Sequence, residues 1–177
     1  NDRATLGTIL ILDASASMAF PLATQGKWEQ SCRIAIGLAA VAHNAGDPVG
    51  VVVPAEKEVV QLPPRTRRGV IGEAARLFET IVPAGSGSLV PVLALVRPTQ
   101  RIVLISDFLG DEDALLRAAR ERITAGADVL AIHIIAREEL EPSSASIIAI
   151  DPERAELKRS LLSETREGYL EAFAAWR

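Results

Sequence analysis

Four oxygen-bearing side chains stand out by type and spacing. In the stretch ILILDASASMAF, residues 9–20, an apolar run stops at Asp13, and Ser15 and Ser17 follow at alternate positions. Much later, RIVLIS ends a second apolar run and delivers Asp107. A carboxylate, two hydroxyls and a second carboxylate form an all-oxygen set. Such a set suits a hard cation, Mg²⁺ or Mn²⁺, which keeps several waters and takes few protein carboxylates. Neutral hydroxyls would leave the ion enough positive charge to accept an acidic side chain from a partner. Two carboxylates brought close together repel unless a proton or a cation sits between them. In the plainer alternative, Asp13 and Ser15 cap the next helix, and Ser17 is small because the turn is tight.

The elements that must position these residues can be read from periodicity. Thr8 to Leu12, Val49 to Val53, Arg101 to Ser106 and Val129 to Ile135 are short apolar runs, expected to be buried strands. Lys57 to Leu62 alternates and should pair beside the second strand, ending at Pro63-Pro64. Helices are expected over 26–45, 68–81, 89–96 and 112–125, with Gly46 and Gly126 as terminators and Pro91 in a first turn. On the second helix Ile71, Ala74, Ala75 and Phe78 share a face. Strands apolar throughout and alternating with helices predict an α/β fold: a doubly wound, Rossmann-like, mostly parallel sheet. In such a sheet the first strand and the strand opening the second half are neighbours where strand order reverses, the usual place for a ligand. Asp13 and Asp107 should therefore meet at one edge.

The remainder reads as a hairpin, Ile147 to Ile150 and Ala155 to Arg159 around DPER, then a helix from Ser163. That helix carries Tyr169, Leu170, Phe173 and Trp176 at helical spacing, which predicts packing on the body. The 177 residues are taken as one domain, with a core over 8–136 and the C-terminal hairpin and helix over 147–177. EELEPSSAS is the expected loose joint. Because the chain starts at Asn1 and not Met, it is expected to belong to a longer protein.

Composition narrows the classes. About half the residues are apolar, a quarter are charged, and the net charge is −4, which gives no footprint for nucleic acid. The single cysteine, Cys32, cannot form an internal disulfide, and this points to a reducing, cytoplasmic setting. No apolar run is long enough to span a membrane. The run PPRTRRG, with Arg65, Arg67 and Arg68, is basic in an acidic chain. It is either a solvated loop or a docking patch for an acidic partner.

At Asp13-Ala-Ser15-Ala-Ser17 and Asp107 the chain resembles the von Willebrand factor A domain, whose metal-ion-dependent adhesion site opens with Asp-x-Ser-x-Ser and adds a later aspartate. Over nearly its whole length it resembles, more closely, a bacterial family of unknown function numbered fifty-eight. The segments that carry this are Asp13 to Met18 (DASASM), Lys27 to Glu29 (KWE), Gly46 to Gly50 (GDPVG), Leu62 to Gly69 (LPPRTRRG), Ile105 to Leu109 (ISDFL) and Glu138 to Pro142 (EELEP). The resemblance implies a von Willebrand factor A-like fold, Mg²⁺ or Mn²⁺ at Asp13, Ser15, Ser17 and Asp107, and a MoxR-type AAA+ ATPase as partner in protein assembly or maturation. It implies no catalytic residue. One departure is plain. The adhesion site takes a threonine from the loop before the short helix, and here GSGSL places Gly87 there, with Ser88, or Ser86 as substitute, left to supply the hydroxyl.

Other chemistries fit less well. The turn after the first strand lacks the glycine pattern of a dinucleotide site, and there is no P-loop. No Gly-x-Ser-x-Gly is present. His133, inside VLAIHII, reads as a core residue, and His43 as a charge at a helix end. The enzyme alternative is Mg²⁺-dependent phosphoryl transfer with Asp13 as nucleophile. Against it, Ser15 stands where that chemistry wants a second acid, and no lysine lies at an obvious strand end to balance a phosphate.

Overall fold

The computed structural model describes residues 7–97, 100–110, 112–142, 147–150, 158–161 and 163–176. The chain divides into two compact units, Asn1–Ile134 and Ile135–Arg177. The first contains β1 (Thr8–Leu12), a 3-10 turn (Ala16–Ala19), α1 (Gly26–Asn44), β2 (Val49–Pro54), β3 (Val59–Arg65), α2 (Val70–Thr80), α3 (Leu89–Leu95), β4 (Arg101–Ser106), α4 (Glu112–Thr124) and β5 (Asp128–His133). Strand order is β3-β2-β1-β4-β5; β1 runs parallel to β2 and β4, β4 parallel to β5, and only β3 is antiparallel. This is the doubly wound α/β sheet expected from the strand–helix alternation, and order reverses between β1 and β4.

Strand alternation divides the core into two layers. Leu10, Leu12, Val51, Val53, Val103 and Ile105 face α1 and α2. Ile9, Ile11, Val52, Ile102 and Leu104 face the α3 side, where Leu89, Val92 and Leu93 cover them. Successive strand side chains point to opposite faces, so a sheet covered on both sides needs uninterrupted apolar strands. Helix α1 presents Ser31, Ala35, Ala39 and Ala42 to the sheet, small residues that let it approach closely. Trp28 at its start packs edge-on against Phe78 of α2, with centroids 6.2 Å apart. On α2 the buried face is Val70, Ala74 and Phe78, with Ile71 and Ala75 half-buried.

Three expectations need correction. First, β3 does not stop at Pro63-Pro64 but runs through both to Arg65. The register shifts there: Val51 pairs with Leu62, while Val49 pairs with Arg65. An edge strand with a bulge is where proline is tolerated, because no ladder donor is required. Second, β5 is not buried. It is the last strand in the order, and only Val129 and Ile132 of its residues are half-buried, the rest being exposed. Helix α4 buries none of its residues. Third, His133 is exposed at the end of β5, its ring edge-on to Phe108, instead of lying in the core.

The second unit holds a one-turn helix α5 (Arg137–Leu140), strands β6 (Ile147–Ile150) and β7 (Lys158–Leu161) paired antiparallel, and α6 (Ser163–Trp176). The hairpin is therefore present, with its second strand later than 155–159; the DPER turn lies outside the described residues. Part of the expected loose joint is α5. Tyr169 stacks on Phe173, Phe173 lies against Trp176, and the Tyr169 hydroxyl donates to the Glu139 carbonyl.

The bulge explains a glycine. A Cβ on Gly50 would lie 2.9 Å from Ile9 Cδ1 and 3.0 Å from both Leu62 O and Pro64 N. Two of these contacts are backbone and cannot rotate away. Gly50→Ala should therefore lower unfolding stability by about 1–3 kcal/mol, as overpacking does, measured by urea denaturation. An unchanged midpoint would show that the bulge yields.

Candidate functional site

Backbone bonds fix the turn after β1 before any side chain acts. Asp13 N donates to Ile105 O (2.9 Å), which joins the carboxyl ends of β1 and β4. Ala84 N donates to Ala14 O (2.9 Å) and Ala16 N to Gly85 O (2.8 Å), which stitches the PAGSGS loop to the same turn. The Asp13 carboxylate then locks the turn from inside. Oδ1 accepts from Ser15 N at 2.7 Å, an Asx turn, and Oδ2 accepts from Ser106 Oγ at 2.6 Å. The Ser15 and Ser17 hydroxyls lie 3.1 Å apart. Asp13, Ser15, Ser17, Ser106 and Asp107 are all buried. Asp13, Ser15, Ser17 and Asp107 thus lie at the carboxyl ends of β1 and β4. Asp13 bonds its own turn, as the plainer alternative held, but no side chain of Ser15 caps the 3-10 turn.

Asp107 takes its counter-charge from the chain itself. Lys27 Nζ lies 2.8 Å from Asp107 Oδ2, and the two side chains are 1% and 2% exposed. Leu109 N donates to the other oxygen, Oδ1, at 3.2 Å. Lys27 N donates to Phe20 O, and its ammonium sits 5.7 Å from the Phe20 ring centroid. Sequence reasoning quoted Lys27 only as part of KWE and gave it no role. A signal was available. Lys27, Ser31, Ala35 and Ala39 recur every four residues on the inward stripe of α1. A lysine on such a stripe must meet a buried acid, because an unpaired ammonium there is too costly.

Burial pushes the Asp13 carboxyl above its ordinary value; hydrogen bonds from Ser106 and Ser15 oppose the rise, and the Asp107 charge adds to it. Cys32, free and half-buried on α1, is pushed up to about 12, first by burial and then by Glu29, so its thiol is inert at neutral pH.

The other candidates sit as follows. Ser88 is the N-cap of α3, its Oγ accepting from Val90 N at 3.3 Å, and Ser86 is exposed in the adjacent loop. Gly87 packs on the end of β2: a Cβ there would fall 2.6 Å from Pro54 O. The missing threonine is thus a consequence of how closely this loop approaches the strand. Arg65, Arg67 and Arg68 do not join the site. Arg65 pairs with Val49, which pairs with Thr8 at the start of β1. The arginines therefore lie at the opposite edge of the sheet, about 17–20 Å away for strands of this length. Arg67 is bridged to Glu73, while Arg65 and Arg68 are exposed.

The donor set fits a divalent cation on one side only. Hydroxyls 3.1 Å apart match adjacent ligands of an octahedral ion with bonds of about 2.1 Å. Asp107, in contrast, already holds an ammonium and a backbone N–H. Among the described residues no group of three or more His, Cys, Asp or Glu side chains gathers. An ion here would rest on Ser15 and Ser17, with Asp13 behind them.

Fold and site together define a doubly wound α/β protein with an oxygen-rich strand edge whose Asp107 is paired with Lys27. The chain belongs to the family described as "Protein of unknown function DUF58", which matches residues 1–177. No curated protein matches. Among solved structures, an aerotolerance-related membrane protein from Bacteroides fragilis, carrying multiple mutations to serines, is similar with a TM-score of 0.61 at 18% identity, over 94% of this chain and 87% of that one. The conserved hypothetical protein BatB from Bacteroides thetaiotaomicron is similar with a TM-score of 0.61 at 20% identity, over 93% and 84%. The SpRpn10 VWA domain matches more weakly, with a TM-score of 0.48 at 15% identity over 76% and 91%. Among the described residues no helix is long and apolar enough to cross a membrane.

Two outcomes follow from this geometry. Gly87→Thr, which introduces the threonine of the adhesion-site pattern, should destabilise the fold and leave any Mg²⁺-dependent rise in melting temperature no larger than in wild type. A larger rise would show that the loop can accommodate the hydroxyl. Separately, the folded protein holds the Asp13 proton more tightly than the unfolded chain does. The contribution of Asp13 to stability therefore falls as pH rises from its ordinary value of 3.8 through the raised folded value. Asp13→Asn escapes this loss. Its stability relative to wild type should improve as pH rises above 3.8, and a difference that stays flat above that pH would contradict the raised carboxyl.

Proposed function

We propose that this chain is a non-enzymatic protein-interaction module of von Willebrand factor A-like type, which docks an acidic side chain of a partner at the carboxyl edge of β1 and β4. The observation that carries this reading is the convergence of Asp13, Ser15, Ser17 and Asp107 where strand order reverses, with Asp13 bonded to Ser106 of β4. Ser15 and Ser17 would hold Mg²⁺ or Mn²⁺ weakly, with Ser88 or Ser86 as the remaining hydroxyl donors of the adjacent loop. When bound, the ion would offer an electrophilic position to a carboxylate. The family resemblance makes a MoxR-type AAA+ ATPase the first partner to test, in protein assembly or maturation. A cytoplasmic setting belongs to this reading, and the free thiol of Cys32 is in keeping with it. Arg65, Arg67 and Arg68 would form a separate surface at the far edge, steering encounter with an acidic partner.

Phosphoryl transfer has one new observation in its favour, since Lys27 supplies the lysine it needs. The geometry works against it nonetheless. The Lys27 ammonium is buried on Asp107, and both Asp13 oxygens are engaged by hydrogen bonds. A nucleophile must reach its phosphorus with a free oxygen.

Binding of a purified MoxR-type ATPase from the same source should weaken at least tenfold in EDTA and with Asp13→Ala, while circular dichroism shows the fold retained. Equal binding by wild type and Asp13→Ala, together with Mg²⁺-dependent turnover of a phosphorylated small molecule that Asp13→Asn abolishes, would replace the module with the enzyme.

A further inference from the structure

We propose that Lys27 is a built-in counter-ion that keeps a divalent cation off the Asp107 side of the site, so that its charge, not a metal, neutralises Asp107. This rests on the docking reading only for where an external ion would sit. The argument begins with occupancy. Both Asp107 oxygens are engaged, one by the Lys27 ammonium at 2.8 Å and one by Leu109 N at 3.2 Å. Asp13 is likewise committed to Ser15 N and Ser106 Oγ. Each of these oxygens keeps a second lone pair, but an ion ligated by Asp107 would sit beside the ammonium, whereas the Ser15–Ser17 pair is uncharged.

The second part is rigidity. The Lys27 side chain is fully buried against Asp107. Its side chain is 1% exposed, its backbone is pinned to Phe20 O, and its carbonyl accepts from Ser31 Oγ at 2.8 Å inside α1. A divalent ion ligated by Asp107 would have to share that carboxylate with a fixed ammonium a few ångströms away. Like charges at that distance, away from water, repel strongly. Lys27 therefore sets both the weakness of metal binding and the independence of the fold from metal. Removing its charge should convert the edge into a competent divalent site without adding any ligand.

The test is Mn²⁺ binding by electron paramagnetic resonance on the protein alone, with no partner present. Lys27→Gln keeps a hydrogen-bond donor for Asp107 but loses the charge, whereas Lys27→Arg keeps the charge. Lys27→Gln should bind Mn²⁺ at least tenfold more tightly than wild type, and its melting temperature should rise with Mn²⁺ while that of wild type stays nearly constant. Lys27→Arg should behave as wild type. Equal Mn²⁺ affinity in wild type and Lys27→Gln, or tight binding by wild type, overturns the proposal. Should Lys27→Gln be unfolded in metal-free buffer, folding driven by Mn²⁺ supports the proposal, and failure to fold at any Mn²⁺ concentration overturns it. None of these outcomes depends on whether an acidic partner docks, which the ATPase binding assay decides separately.

Discussion

The buried ion pair between Lys27 and Asp107 is the constraint around which the rest of the site is arranged. Two strands of a doubly wound sheet each end in an aspartate at the same edge, Asp13 after β1 and Asp107 after β4. Without a positive charge nearby, burying both would be prohibitive. Helix α1 supplies that charge from its first turn, and this fixes where the helix must begin. Gln25, with φ of 48°, turns the chain in, and the small-residue stripe of α1 brings its first turn down onto the strand ends. The pair is thus part of the fold and part of the site at once.

Much of this was legible in the sequence. Uninterrupted apolar runs announced the buried strands β1, β2 and β4, because only a sheet covered on both faces uses them. The alternation with helices announced the topology, and the topology placed Asp13 beside Asp107. The same rule failed for β5, since Val129 to Ile135 is as apolar as its neighbours yet lies at an edge. Periodicity reports what a strand can bury and says nothing of its place in the order. It failed differently at Pro63-Pro64, where a bulge on an edge strand removes the usual objection to proline. Lys27 was missed for a third reason. Its partner is eighty positions away, and a lysine near a helix start reads locally as a surface charge. Only the four-residue stripe it shares with Ser31, Ala35 and Ala39 marks it as buried.

The departure at Gly87 and the presence of Lys27 fit one physical account. A hydroxyl-bearing residue at 87 would strike Pro54 O, and a metal fully ligated at this edge would confront the ammonium. The loop has given up a donor where the chain already provides a cation. What remains is a buried, hydroxyl-lined edge whose Asp107 is paired within the chain. The oxygens of Asp13 are engaged in holding their own turn, which weighs against the proposed nucleophile.

The most direct measurement is the coupling between the two charges. A double-mutant cycle with Lys27→Met, Asp107→Asn and the double variant, by urea denaturation in EDTA, isolates their interaction from everything else either residue does. The account predicts that each single change is strongly destabilising, that the double variant recovers much of the loss, and that the coupling is about 2 kcal/mol or more. A coupling near zero, with single losses that simply add, would mean that Lys27 does not neutralise Asp107 and would contradict the account.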